Sequence, residues 1–291
     1  MKYIIAGLLF SILWASASVA TKIGLTSVPP LFLATCRFFI AGVLLLTYAR
    51  LSGQYRKPTA LEWKQLSIFG LLNTTVYLSL YVYAMKYTAA GIGSLAVSTN
   101  PLLIVLFSAW LMGRKASVKE WMGIILGILG VYLATIPLLE DGHTSLMGLF
   151  ILGLSMIAVS FASVYYARVK WSLPNILING WQVTLGGLFL LPFTLLTTHA
   201  QDISLDVNFW KGVLWLSIAV SVFGLICWFY LLKIDTVKAA LWLFLCPIFG
   251  FFYAWWILDE PITWYTVAGS ILVILGLYIS QTRNLPGKTK T

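Results

Sequence analysis

The stretch NPLLIVLFSAWLMGRKASVKEWMGIILGILGVYL, residues 100–133, lies over CPIFGFFYAWWILDEPITWYTVAGSILVILGLYI, residues 246–279, without a gap. Pro101 meets Pro247, Trp110 meets Trp256, Gly123 meets Gly269, Gly130 meets Gly276 and Tyr132 meets Tyr278. Each copy reads as a long apolar run, a short polar link and a second apolar run, without the alternation of a barrel strand. Further upstream the match is looser: Lys22 falls over Arg168, Pro29 over Pro174, Gly42 over Gly187 and Lys86 over Lys233. The chain is therefore an internal repeat with a period of about half its length.

Composition says what solvent the repeat is built for. Of 291 residues, 60% are hydrophobic and only 10% charged, whereas a soluble domain carries roughly a quarter charged residues. Apolar segments of about 20 residues, enough to cross a bilayer as helices, are expected at 3–21, 31–49, 66–85, 89–112 and 121–136. The second set is expected at 146–167, 176–196, 210–232, 239–258 and 264–280. The expected fold is an all-α integral membrane protein of ten transmembrane helices, as two inverted five-helix repeats. Residues 1–137 form the first repeat, 138–145 an external linker, 146–283 the second repeat and 284–291 a cytoplasmic tail. The first segment is long, lacks a clear cleavage site and has a counterpart in the second half. It reads as a mature helix rather than a signal peptide.

The formal net charge of +10 concerns topology. With the N-terminus in the cytoplasm, that side receives Lys2, Arg50, Arg56, Lys57, Lys64, Arg114, Lys115, Lys119, Arg168, Lys170, Lys233, Lys238, Arg283, Lys288 and Lys290. The far side receives Lys22, Lys86 and Lys211, while Glu140, Asp141, Asp202, Asp206, Asp259 and Glu260 lean outward. This is the positive-inside asymmetry, so both termini are expected in the cytoplasm and no nucleic-acid partner is implied. Five helices is an odd number, so the second repeat must enter from the opposite face. Inverted halves are characteristic of secondary transporters, which exchange two shapes around one site.

Several stretches resemble the EamA-type branch of the drug/metabolite transporter superfamily. They are the first span LLFSILWASASVATKIG, Arg37 in the second, and an ending of Pro247, a span, Asp-Glu-Pro-Ile-Thr and a glycine-bearing span with LGLY. The resemblance runs from Tyr3 to Ser280. It implies a multi-pass permease of a bacterial inner membrane, often an exporter of amino acids or related metabolites. It also implies a central cavity lined by spans one, three, four, six, eight and nine. One departure stands out: the family's glutamate after the fourth span is Arg114 here, although its counterpart after the ninth is Glu260.

Candidate cavity residues follow from polar groups on shared helical faces. Span one offers Trp14 and Ser18 beside Ser11, and span three offers Asn73, Tyr77 and Tyr81. Ser98 and Asn100 stand beside Pro101, Trp242 stands near Pro247, and Ser160 and Trp228 are the repeat counterparts of Trp14 and Tyr81. Pro101 and Pro247 each remove a backbone donor and crowd the preceding turn. Such a break lines a water-filled cavity or serves only as a packing kink. Membrane serines more often pack helices together than bind ligands. Arg37, an intramembrane charge, is read as structural, with carboxylate attraction as the rival reading. Gly123, Gly127, Gly130, Gly269 and Gly276 mark spans five and ten as a packing seam or a homodimer contact.

No Asp, Glu or His lies near the middle of a segment, so proton coupling through a buried carboxylate is disfavoured. Cys36, Cys227 and Cys246 fall inside segments with no metal-like spacing. No metal, cofactor or catalytic residue is expected, and both histidines, His143 and His199, lie in outer loops. The expected function is a carrier, monomeric or dimeric, for small neutral or zwitterionic organic metabolites. An efflux carrier for toxic compounds is the alternative, and an intramembrane enzyme or scaffold is a weaker one. A channel would need a ring of filter groups that the sequence does not offer.

Overall fold

A computed structural model of the chain describes residues 1–111, 115–234 and 242–281. Arg114, the first residues of segment nine and the 284–291 tail lie outside the described residues. The protein is an all-helical bundle of ten membrane spans. Among the described residues, eight helices are long and apolar enough to cross a bilayer: Lys2–Leu25, Pro30–Leu51, Ala60–Met85, Ala90–Leu111, Val118–Glu140, Leu146–Arg168, Asn175–Thr197 and Val207–Trp228. Two shorter apolar helices, Trp242–Leu258 and Trp264–Ser280, complete the set. These are spans one to ten in chain order.

Spans three and five begin earlier than hydropathy suggests, for a local reason. The Thr59 side chain accepts from the Glu62 N–H while Glu62 accepts from the Thr59 N–H, and Ser117 and Glu120 do the same. These reciprocal capping boxes satisfy orphan donors at each helix start. Because the capping turn is polar, an apolar window reads it as loop.

The inverted arrangement is visible in how the halves meet. Span two packs on span seven, span five on ten and span four on nine; span three meets six as span eight meets one. The seam between spans five and ten is closest. A Cβ added at Gly123 would stand 2.6 Å from the Gly276 carbonyl oxygen, and one at Gly130 would stand 2.5 Å from that of Gly269. Under the repeat alignment, the first contact maps onto the second with its partners exchanged. Only two antiparallel, equivalent helices can make that pair of contacts. The glycine faces expected to pack within or between chains thus meet each other inside one chain.

Regularity is unevenly shared. Spans five and ten are continuous α-helices. Span one turns at Ser16, span four breaks at Thr99 and the described part of span nine opens on a 3₁₀ turn over Trp242–Leu245. Spans three and eight widen to π-helix over Leu71–Leu78 and Trp215–Gly224, at overlapping repeat positions. The Thr75 hydroxyl leaves its wide turn for the Gly186 carbonyl of span seven at 2.9 Å, while that of Ser221 donates within its own turn to the Leu216 carbonyl at 2.8 Å. Wide turns of this kind are frequent at functional sites.

Candidate functional site: a cavity between the two halves

The irregular helices surround a cavity of about 310 Å³. Its wall draws Trp14 from span one, Asn73 and Tyr77 from span three, and Asn100 and Pro101 from span four. Span eight contributes Ser221 and Trp228, and Arg37 enters from span two. A smaller chamber of about 30 Å³ continues the space past Trp14, Arg37 and Tyr77 to Tyr81 and Cys246. In the opposite direction the cavity reaches Tyr166 on span six and Asn179 on span seven. Those positions lie toward the end of the bundle that carries Arg56 and Lys170.

Most of the polar groups are held by neighbours. The Asn73 side-chain amide donates to Gln182 Oε1 at 3.3 Å, and the Thr74 hydroxyl donates to the same oxygen. Arg37 is 5% exposed and sends Nε and one Nη to the Ser221 hydroxyl, at 3.3 and 3.2 Å. The Asn100 Oδ1 is buried with no hydrogen-bond partner among the described residues. Aromatic rings supply the apolar side: Phe10 stacks on Trp228 at 4.7 Å between centroids and leans on Trp14 at 5.6 Å.

Other sequence candidates stand outside the cavity wall. The Ser18, Ser98 and Ser160 hydroxyls donate to the Ala15, Ser94 and Met156 carbonyls of their own helices. That is the common fate of a membrane serine. Trp242 lies across span one, where a Cβ on Gly7 would stand 1.9 Å from its ring. Its carbonyl accepts from the Ser11 hydroxyl at 2.7 Å. Pro247 is buried at the start of the helix after the 3₁₀ turn. Span seven was missed, although Asn179 and Gln182 both face the cavity. Two carboxamides in an apolar segment are costly unless bonded, and that cost was the available signal.

The end away from Tyr166 is cross-linked by hydrogen bonds between spans. Asp259 adopts a left-handed conformation, φ 55°, at the end of span nine. This turns Glu260 back, and its carboxylate accepts from the Ala90 and Gly91 N–H groups at 2.7 and 3.1 Å, at the start of span four. An anion on the open amides of a helix start is favourable. Nearby, the Ser27 hydroxyl donates to Asp206 at 2.6 Å and the Thr144 hydroxyl accepts from the Ala89 N–H at 3.0 Å.

A larger hollow, about 750 Å³, opens on the flank between spans one, eight and nine. Ile12, Trp210, Trp215 and Trp256 line it, with few polar groups. It is a groove suited to hydrocarbon, and the convergent polar groups expected of a solute site are in the central cavity instead.

Comparison with known proteins agrees with this geometry. A family model described as the EamA-like transporter family matches the chain twice, over residues 1–136 and 146–282. The chain belongs to this family. An uncharacterized transporter of Archaeoglobus fulgidus is 26% identical over 275 residues, covering 94% of each chain. The uncharacterized transporter YvbV of Bacillus subtilis is 28% identical, covering 94% of this chain and 89% of its own. Protein PecM of Dickeya dadantii is 25% identical, covering 95% and 91%. A solved crystal structure shares the fold at a TM-score of 0.65 and 19% identity, covering 97% of this chain and 96% of its own. This EamA-like chain is a multi-pass membrane transporter, not an enzyme.

Proposed function

We propose that the protein is a secondary carrier of the cytoplasmic membrane. It moves small neutral or zwitterionic organic metabolites outward by alternating access, with both termini in the cytoplasm. Two repeats, 1–137 and 146–283 across an external linker, work as the opposed halves. The observation that carries this reading is the central cavity between antiparallel halves, cross-linked at the Glu260 end and extending toward the basic end. Under the positive-inside assignment, the basic end is cytoplasmic, so the cavity stands where an exported solute would load. Exchanging the roles of the two halves would give the opposite opening. Trp14, Tyr77, Tyr81, Asn73, Asn100 and Trp228 are the proposed solute contacts.

The test is counterflow in proteoliposomes, after a metabolite panel has been screened by thermal stabilisation of the purified protein. A carrier gives saturable uptake that is accelerated by the same solute on the far side. Flux that rises linearly with concentration and ignores the far side would mean a pore. Chemical conversion of the solute without movement would mean an enzyme.

A further inference from the structure

Arg37 carries a charge that no described residue near it balances. Among the described residues the one salt bridge joins Arg56 to Glu62. The described carboxylates all belong to the two ends of the bundle, and Asp235 lies outside the described residues. Around Arg37 stand neutral groups only: the Ser221 hydroxyl, the Tyr77 and Tyr81 phenols and the ring of Trp14. Both recorded side-chain bonds end on one serine oxygen, which leaves Nη1 without a protein acceptor among the described residues. A buried cation lacking a counter-ion is costly. A chain could lower that cost by placing the group at its surface, whereas here it lines the cavity and its inner chamber.

The guanidinium of Arg37, read from the sequence as structural, bonds to a serine hydroxyl on the cavity wall. The second unsatisfied group points the same way: Asn100 Oδ1, on the same cavity, is an acceptor awaiting a donor.

We infer that the cavity takes a monocarboxylate bearing an N–H or O–H donor, its carboxylate on the Arg37 guanidinium and its donor toward Asn100. An apolar or aromatic body then lies against Trp14, Trp228 and Phe10. This rests on the carrier reading and adds one requirement to it, a carboxylate on the solute; hydroxy acids, which are anions at neutral pH, thereby join the zwitterions. The guanidinium supplies a planar fork matched to two carboxylate oxygens, and charge-assisted bonds of this kind are about twice as strong as neutral ones. A cavity of about 310 Å³ is at the small end of ligand sites, which suits a single small acid.

The experiment measures thermal stabilisation of the purified full-length protein by aliphatic and aromatic amino and hydroxy acids, each beside its own primary amide. Some acids should bind about tenfold or more tightly than their amides, a gap of about 1.4 kcal/mol. Arg37→Gln should abolish that preference, and Arg37→Lys, which keeps the charge but not the fork, should retain part of it. The wild-type comparison needs no variant, so a misfolded Arg37→Gln does not weaken it. A panel in which no acid exceeds its amide overturns the assignment, as does an undiminished preference in folded Arg37→Gln. Counterflow restricted to amides or amines would sink this inference and leave the carrier. Acid-selective binding without counterflow would do the reverse.

Discussion

Spans five and ten and the spans around the cavity are made from the same kinds of residue, yet they solve opposite problems. The seam runs as two unbroken helices whose glycines bring carbonyl to backbone at the limit of contact. Of the spans around the cavity, one, three, four and eight depart from α-geometry along their length, and the described part of span nine opens on a 3₁₀ turn. Close packing permits few alternatives, because any shift loses many contacts at once. Helices already broken, with side chains bonding the freed carbonyls, have other arrangements within reach. Under the proposed carrier mechanism, the seam is the fixed strut and the broken spans are the parts that change shape.

The largest effect should come from breaking the strut. Gly130→Leu would place a Cβ 2.5 Å from the Gly269 oxygen and 2.9 Å from the Val273 nitrogen, both backbone atoms that cannot move aside alone. Overpacking of this severity should cost upward of ~3 kcal/mol, and size-exclusion of the solubilised protein should show little folded monodisperse material. Gly153→Leu is the control, since its added Cβ meets nothing within 4 Å. Equal losses from both would mean that the seam is not special.

The second effect belongs to the cavity and should spare the fold. Trp14→Ala and Tyr77→Ala remove wall that lies between broken helices rather than within the seam. Each should lower transport about tenfold or more, roughly 1.4 kcal/mol, while folded protein still reaches the membrane. Trp242→Ala is the contrast, because that ring packs on Gly7 away from the cavity wall. It should cost stability first. Normal transport by both Trp14→Ala and Tyr77→Ala would remove those rings from the solute path.

This contrast also explains what the sequence revealed. The seam was readable because glycine, at Gly123, Gly130, Gly269 and Gly276, has few uses in a lipid-facing helix other than close approach. Pro101 likewise announced its break, since its missing N–H cannot be hidden. The cavity was only half readable. Trp14, Tyr77, Asn100 and Trp228 converge on it, but helical periodicity alone could not separate them from Ser18, Ser98 and Ser160. A serine's own helix can absorb its hydroxyl, and which serines do so depends on local backbone geometry. The span seven carboxamide Gln182 meets π-widened span three at Asn73 and Thr74. A reading based on 3.6 residues per turn does not see such a widening.

The third prediction concerns the tie at the far end. Glu260→Gln keeps the shape but removes the charge from the Ala90 and Gly91 amides, which should cost about 1–2 kcal/mol. A cysteine introduced at Ser94, in the wall of the small chamber, should then react faster with an impermeant maleimide added from the Glu260 side. Unchanged reactivity would mean that the glutamate stabilises the helix start without closing the cavity.

The smallest effect sharpens the same comparison through pH. The Ser27 hydroxyl, joined by the Phe209 and Asn208 N–H groups, holds the Asp206 carboxyl below the usual carboxylate range. A pKa depressed by folding means that the folded state favours the ionised form. The stability so gained is present above the ordinary carboxylate pKa and is lost as pH falls through the folded value. Asp206 is fully exposed, so the contribution is small and screened by salt. Wild-type protein should therefore lose slightly more melting temperature than Asp206→Asn on acidification from about pH 6 to about pH 3. Because Asp206 joins the start of span eight to the end of span one, the variant should also soften the closed end and leave the glycine seam as it was. Parallel melting curves for the two proteins across that pH range would show that this cap adds nothing to the closure.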